Sequence, residues 1–384
     1  MDEPEAGPLA AELIDPTAIF SKTLRHFLAP IWAFLEDPTV VEVMINGPGE
    51  IYIEQRGQLV KTEARFDNED SLLAAIRNLL QFVGKRLSAD QPMMDARLPD
   101  GSRVHVAMPP CSKLGPCMTI RKFARESFDI DYLVGCSTLT QELADYLKVA
   151  IQTEKNILFA GGTSSGKTSL MNALSVFIPD EQRIVIIEES SELQLRRSHV
   201  IQLETRAPDR YGRGEVNIRE LFRNSLRMRP DRIIVGEVRG GEALDLIQAL
   251  TSGHGGSMST MHADTPMDAL NRLETMALMS DVAIPLNALR TQIASSIDII
   301  IEMARFRDAS RRVIQVSEVL PVDDHYQYQL SDLFMMQLPE GSKKLDEGSL
   351  AWTGRRSLLA DDVQARMMAQ GLPSLGELFA DKKG

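Results

Sequence analysis

A chain of 384 residues with a formal net charge of −12 is long enough for two domains and too acidic overall for a general nucleic-acid binder. No window approaches the roughly 18 apolar residues of a membrane span, and the acidic start Met1-Asp2-Glu3-Pro4-Glu5 does not read as a signal peptide. The three cysteines, Cys111, Cys117 and Cys136, have neither C-x-x-C nor zinc spacing, so reduced thiols in a cytoplasm are expected.

Residues 1–16, rich in Pro, Ala and Glu, read as a mobile lead-in. Phe20, Leu24, Phe27, Leu28, Ile31 and Phe34 then recur at helical spacing over residues 19–35. From Val40 the period changes to that of strands. Val41, Val43 and Ile45 lead into the turn Asn46-Gly47-Pro48-Gly49, and Ile51-Tyr52-Ile53 leads out, which predicts a hairpin. A third strand is expected over residues 59–66 and an amphipathic helix over 70–83. Residues 97–106 read as strand, Pro-Asp-Gly turn, strand, and residues 118–123 as a further strand. These elements predict a small α/β domain with an antiparallel sheet. It holds three arginines on or beside strands, Arg97, Arg103 and Arg121, which by themselves read as solvated strand-face side chains.

Residues 129–137 are expected as a linker. From Thr138 helices and strands alternate, as a parallel sheet requires. After a helix over 143–151 comes the apolar run Asn156-Ile157-Leu158-Phe159-Ala160. Gly161-Gly162-Thr163-Ser164-Ser165-Gly166-Lys167-Thr168 follows, then a helix from Ser169. This is the phosphate-binding pattern G-x-x-x-x-G-K-[ST] in its strand–turn–helix context. Glycines let successive backbone N–H groups face one concavity at the positive end of a helix. Lys167 would reach the β/γ-phosphates and the Thr168 hydroxyl would hold Mg²⁺.

Downstream, buried-type strands each end in a polar group. Residues 183–187 run into Glu188 and Glu189, residues 232–236 into Glu237 and Arg239, and residues 257–261 into His262. Ligands of open α/β sheets sit beyond the carboxyl ends of the strands, so these groups are expected around the same phosphates. Phosphoryl transfer to water needs a metal, a carboxylate that polarises the water and cations facing the γ-phosphate. Glu237 stands in the Walker-B-like position for Mg²⁺ and Glu188 is the better candidate for polarising water, although the two can exchange roles. His262 could donate to the γ-phosphate, and His254 lies in the same glycine-rich run. Helices around 266–278 and 286–295 and a closing hairpin over 297–303 and 312–321 complete the expected core, leaving 331–384 as a tail with an apolar stretch at 358–372.

Together these motifs resemble the secretion-ATPase superfamily, the motors of type II and type IV secretion and of type IV pili. Its Walker A loop, Asp box, Walker-B box and His box correspond in order to residues 161–168, 187–192, 228–240 and 253–264. The segments M-I-N-G-P-G-E-I-Y-I-E, D-A-R-L-P-D-G-S-R-V, T-I-R-K-F and S-T-M-H-A-D-T-P are most similar to the CpaF/TadA branch, which drives tight-adherence (Flp, type IVc) pili. The likeness covers about residues 38–330. It implies a RecA-like P-loop ATPase domain over 138–330, preceded by a PAS-like α/β module over 17–128 that packs on a neighbouring subunit's core. It also implies ATP and Mg²⁺ as cofactors, with residues 161–169, Gly161 to Ser169, binding the nucleotide. Glu188, Glu237, His262 and Arg239 would serve catalysis, with Arg121 foremost among Arg97, Arg103 and Arg121. The expected assembly is a homo-hexamer on inner-membrane platform proteins, peripheral to the membrane and without direct nucleic-acid contact. Two features depart from the pattern. Glu189 stands where the Asp box usually has Asp, and the four-cysteine zinc element of other branches is absent. A type IV secretion traffic ATPase is the alternative, and a nucleotide-binding scaffold is disfavoured by Lys167, Thr168, Glu188 and Glu237.

Overall fold

The computed structural model describes residues 23–88, 90–123, 128–208, 211–253, 255–339 and 347–357, with positions 359 and 365. The chain divides between Arg125 and Glu126 into two compact units.

In the first unit, α1 (Ala29–Glu36) begins after a turn at Leu28 rather than running unbroken from further upstream. Pro30 stands in its first turn, where a missing N–H is harmless, but a continuous helix through this point would lose that hydrogen bond. The strands are β1 (Val40–Asn46), β2 (Ile51–Gln55), β3 (Gln58–Lys61), β4 (Met93–Arg97), β5 (Arg103–Ala107) and β6 (Cys117–Arg121), with α2 (Glu69–Phe82) between β3 and β4. Every strand pair is antiparallel and the order is β3-β2-β1-β6-β5-β4. The Asn68 side chain accepts from the Ser71 amide and Ser71 Oγ accepts from the Asn68 amide, which fixes where α2 begins. Its stripe Leu72, Ile76, Leu79 is laid on Val43, Ile45, Val104, Val106 and Ile120 of the sheet.

The second unit carries α3 (Ile130–Gly135), α4 (Gln141–Gln152), β7 (Ile157–Gly161), α5 (Lys167–Leu174), β8 (Ile184–Glu188), β9 (Val200–Glu204), α6 (Ile218–Ser225), β10 (Arg232–Val235), α7 (Glu242–Thr251), β11 (Met258–Met261), α8 (Pro266–Leu278), α9 (Leu286–Ser296), β12 (Ile299–Arg305), β13 (Arg311–Leu320), β14 (Gln329–Gln337) and β15 (Ser349–Trp352). One nine-stranded sheet runs β15-β14-β13-β12-β7-β11-β10-β8-β9. From β12 to β9 all pairs are parallel, and from β12 to β15 all are antiparallel. Alternate residues of β7 enter two cores. Leu158 and Ala160 join the layer of α6, α7, α8 and α9, while Ile157 and Phe159 join that of α4 and α5. This is the mixed α/β architecture that the motifs require.

The expected linker holds a helix, α3, with Leu133 buried in the second core, because Asp129 caps it through the Tyr132 amide. The expected tail supplies strand: β14 pairs with β13, and β15 with β14. Leu333 and Phe334 are adjacent and both buried, so β14 breaks the two-residue alternation that would announce a strand. Residues 1–22 and most of the apolar stretch at 358–372 lie outside the described residues.

Candidate functional site

The strand β7 is sandwiched between β12 and β11, while the next strand in sequence, β8, lies three places away. That change of direction opens a crevice at the carboxyl end of β7, where the glycine loop sits. Gly161 (φ +145°) and Gly166 (φ +97°) occupy backbone regions open to glycine, and Ser164 is also left-handed (φ +58°). Gly161 needs its missing side chain for a second reason: a Cβ there would stand 2.7 Å from Ser165 Oγ and collide with the Met303 carbonyl. Gly162 and Thr163 are exposed and a Cβ at Gly162 would meet nothing, so the loop presents bare backbone to solvent. Thr168 is half-buried and Ser169 exposed, both in the first turn of α5. Ser165 Oγ is buried and hydrogen-bonds none of the described residues.

The Lys167 ammonium is folded back into this loop, donating to the carbonyls of Gly161 and Gly162 at 2.8 Å each. Burial lowers its pKa, while the charges of Glu237 and Glu302 oppose that effect. Arg311, at the start of β13, donates from Nε to the Ser164 carbonyl at 3.0 Å, and its side chain covers Gly166. A bare-backbone cradle, a buried hydroxyl and a lysine at a helix N-terminus suit the phosphates of a nucleotide.

The strand-end residues converge as the open-sheet rule predicts. Glu188 is buried at the end of β8, and its Oε1 accepts from the amides of Glu192 (2.8 Å) and Leu193 (3.1 Å). Gly236 must be glycine beside it, since a Cβ would lie 2.8 Å from Glu188 Cγ. Glu237, one residue on, accepts from Arg239 Nη2 at 2.7 Å, while Arg239 Nη1 donates to Glu189 at 2.5 Å. One arginine therefore joins the second carboxylate of the Asp box to the Walker-B-like glutamate. His262 Nε2 lies 3.0 Å from Glu237 Oε1, close but not aligned as a hydrogen bond. Burial, then the charge of Lys167, pushes the His262 pKa down, which favours the neutral ring. His254 lies outside the described residues.

Beneath this cluster Arg232 is fully buried. It donates to Gln182 Oε1 (2.5 Å), the Gly256 carbonyl (3.0 Å) and the Ile151 carbonyl (2.6 Å), tying β10 to the end of α4 and to the glycine turn before β11. Burial lowers its pKa to about 10.

In the first unit, the three arginines stand in register. Arg97 is opposite Arg103, Arg103 opposite Arg121, and Arg121 opposite Glu42. Directly opposed positions share one face of a sheet, and like charges there repel. Arg97 lies over the Phe123 ring and donates to the Gly101 carbonyl, while Arg121 is exposed. Sequence spacing does not reveal that row, because strand register decides it. Arg311 and Glu302 were also absent from the sequence expectation. The one signal for Glu302 is a charged residue inside the apolar run Ile299-Ile300-Ile301-Glu302-Met303.

The fold and the strand-end site define a P-loop ATPase. The chain matches the family described as Type II/IV secretion system protein over residues 26–344, and it belongs to that family. Among relatives, it is 34% identical over 315 residues to the type IV secretion system protein PtlH of Bordetella pertussis, covering 75% of this chain and 93% of the relative. It is 32% identical over 303 residues to the conjugal transfer protein TrbB of Rhizobium radiobacter, covering 76% and 88%. The fold is that of the Legionella pneumophila ATPase DotB, with a TM-score of 0.53, 20% identity and coverage of 85% of this chain and 84% of that one. Among the described residues no helix is long and apolar enough to cross a membrane.

Proposed function

We propose that this chain is the ATP-hydrolysing subunit of a homo-hexameric motor at the cytoplasmic face of a bacterial inner membrane, coupled through platform proteins to assembly of a tight-adherence pilus or to related secretion. The observation that carries the reading is the meeting of the glycine loop, Glu188 and the Glu237–Arg239–His262 cluster at the carboxyl ends of neighbouring parallel strands.

In this reading the amides of residues 161–169 bind the phosphates, and Lys167 leaves its two carbonyl partners to pair with them. Thr168 and Glu237 would hold Mg²⁺, which supplies charge neutralisation at the phosphates. Glu188, its carboxylate oriented by two amides, polarises the attacking water. Release of Glu237 from Arg239 frees a carboxylate for the ion and a guanidinium for the phosphates. Arg121, Arg103 and Arg97 form a cationic row that suits an anion. The phosphates bound by a neighbouring subunit are the proposed anion. Residues 17–128 are then the module that closes that neighbour's site.

The names of PtlH and TrbB favour the second reading, a type IV secretion traffic ATPase. Cells carrying Lys167→Ala separate the two. Loss of surface pili with secretion and conjugal transfer intact supports the pilus motor, and the reverse pattern supports the traffic ATPase. Purified protein that stays monomeric with Mg²⁺ and ATP refutes the ring.

A further inference from the structure

Glu302 is 3% exposed in the middle of β12, beside the phosphate-binding loop. Its partner on β7 is Ala160, the residue immediately before Gly161, and its partner on β13 is the uncharged Gln315. Neither of these direct partners carries a counter-charge. The charged groups within electrostatic reach are Lys167 from α5, Asp264 after β11 and Asp268 from α8. Its Oε2 is buried and hydrogen-bonds none of the described residues. An ionised carboxylate in such a place is costly, and the usual resolution is a retained proton. Burial first, then Asp264 and Asp268, pushes its pKa up to about 8, against the pull of Lys167.

We propose that Glu302 is a positioning residue for the phosphate site: protonated, it leaves the Lys167 ammonium free to move to the phosphates, and ionised, it holds that ammonium back. The proposal rests on Lys167 as the phosphate-binding lysine. It has a thermodynamic corollary. Phosphates arriving beside Glu302 add negative charge to its surroundings and raise its proton affinity, so nucleotide binding takes up a proton at this carboxyl.

The test is the dissociation constant of a fluorescent ATP analogue between pH 7.5 and 9.5, for wild type and Glu302→Gln. Phosphate monoesters have lost their last proton well below this range, at a pKa of about 6. Loss of the Lys167 proton works the other way, since ionised Glu302 supports that charge in wild type and Glu302→Gln does not, so lysine titration cannot produce an excess weakening of wild type. A pKa shift from about 8 to about 9 on binding weakens wild type about sixfold more than Glu302→Gln across the range. In turnover, KM follows that change and kcat does not. Equal weakening in the two proteins overturns the proposal. Should Glu302→Gln fail to fold, proton uptake by wild type settles the matter, from binding calorimetry in buffers of different ionisation enthalpy. Uptake that peaks at about pH 8–9 supports the carboxyl. Uptake that is absent, or that only rises toward higher pH as a lysine's would, overturns it. Lys167→Ala binding the analogue as tightly as wild type overturns the site assignment instead, and is read separately.

Discussion

Glu188 offers a substitution that separates catalysis from architecture. Its Oε1 accepts two backbone amides, those of Glu192 and Leu193, in a position 3% exposed to solvent. Removing the acceptor strands one buried and one part-buried donor at about 1–3 kcal/mol each, so Glu188→Ala should lose about 2–6 kcal/mol. For a unit of this size that corresponds to about 4–24 °C in melting temperature. Glu188→Gln keeps an oxygen for both amides and gives up only their charge assistance, a loss of about 1–2 kcal/mol. If the carboxylate polarises water, the same Glu188→Gln change removes about 10²- to 10⁴-fold of turnover. The two substitutions are therefore compared by thermal melting, nucleotide affinity and steady-state hydrolysis. The expected outcome is a folded Glu188→Gln that binds ATP and hardly turns it over. Turnover within threefold of wild type would refute the catalytic role and leave Glu188 as the tether of the loop after β8.

Three further outcomes are expected. The Glu302 carboxyl, raised from 4.5 to about 8 in the folded state, contributes stability that is full below pH 4.5 and is lost as pH rises through about 8. Glu302→Gln should be the more stable protein above pH 8 by on the order of 3 kcal/mol, and denaturant titrations at pH 5 and 9 that show no change in the difference would contradict this. Arg121→Ala, at an exposed position, should lower hydrolysis while leaving the melting temperature within about 2 °C, and unchanged turnover returns Arg121 to the solvated strand face. Arg232→Met should destabilise by at least about 3 kcal/mol, because three acceptors converge on its guanidinium, and a melting temperature equal to wild type would show that they are satisfied without it.

Much of the candidate site is legible in the sequence because its strands are buried on both faces. Residues 157–161 and 184–188 are buried throughout, which forces continuous apolar runs whose first polar residue marks a strand end. The glycine loop is legible because its backbone conformation demands glycine at Gly161 and Gly166. What resists reading depends on contacts between distant residues. Arg311 reaches Ser164 across 147 positions, and no local pattern encodes that approach. The arginine row depends on the register of three antiparallel strands, which spacing alone leaves open. The residues of β14 and β15 add to a sheet edge that already exists, so their alternation is weak and their partner unannounced. Glu302 is visible in the sequence, but only the structure reveals that it lies one strand from the phosphate loop with a buried oxygen that hydrogen-bonds none of the described residues.

The central claim, that the groups gathered at the strand ends hydrolyse ATP, is tested most directly by steady-state ATP turnover of the purified protein with Mg²⁺, wild type against Glu237→Gln. The account predicts hydrolysis by wild type, and a Glu237→Gln protein that still binds ATP but has lost turnover by 10²-fold or more, roughly the weight of one acid–base group. Absence of turnover in wild type under every condition, or full turnover in Glu237→Gln, would contradict it.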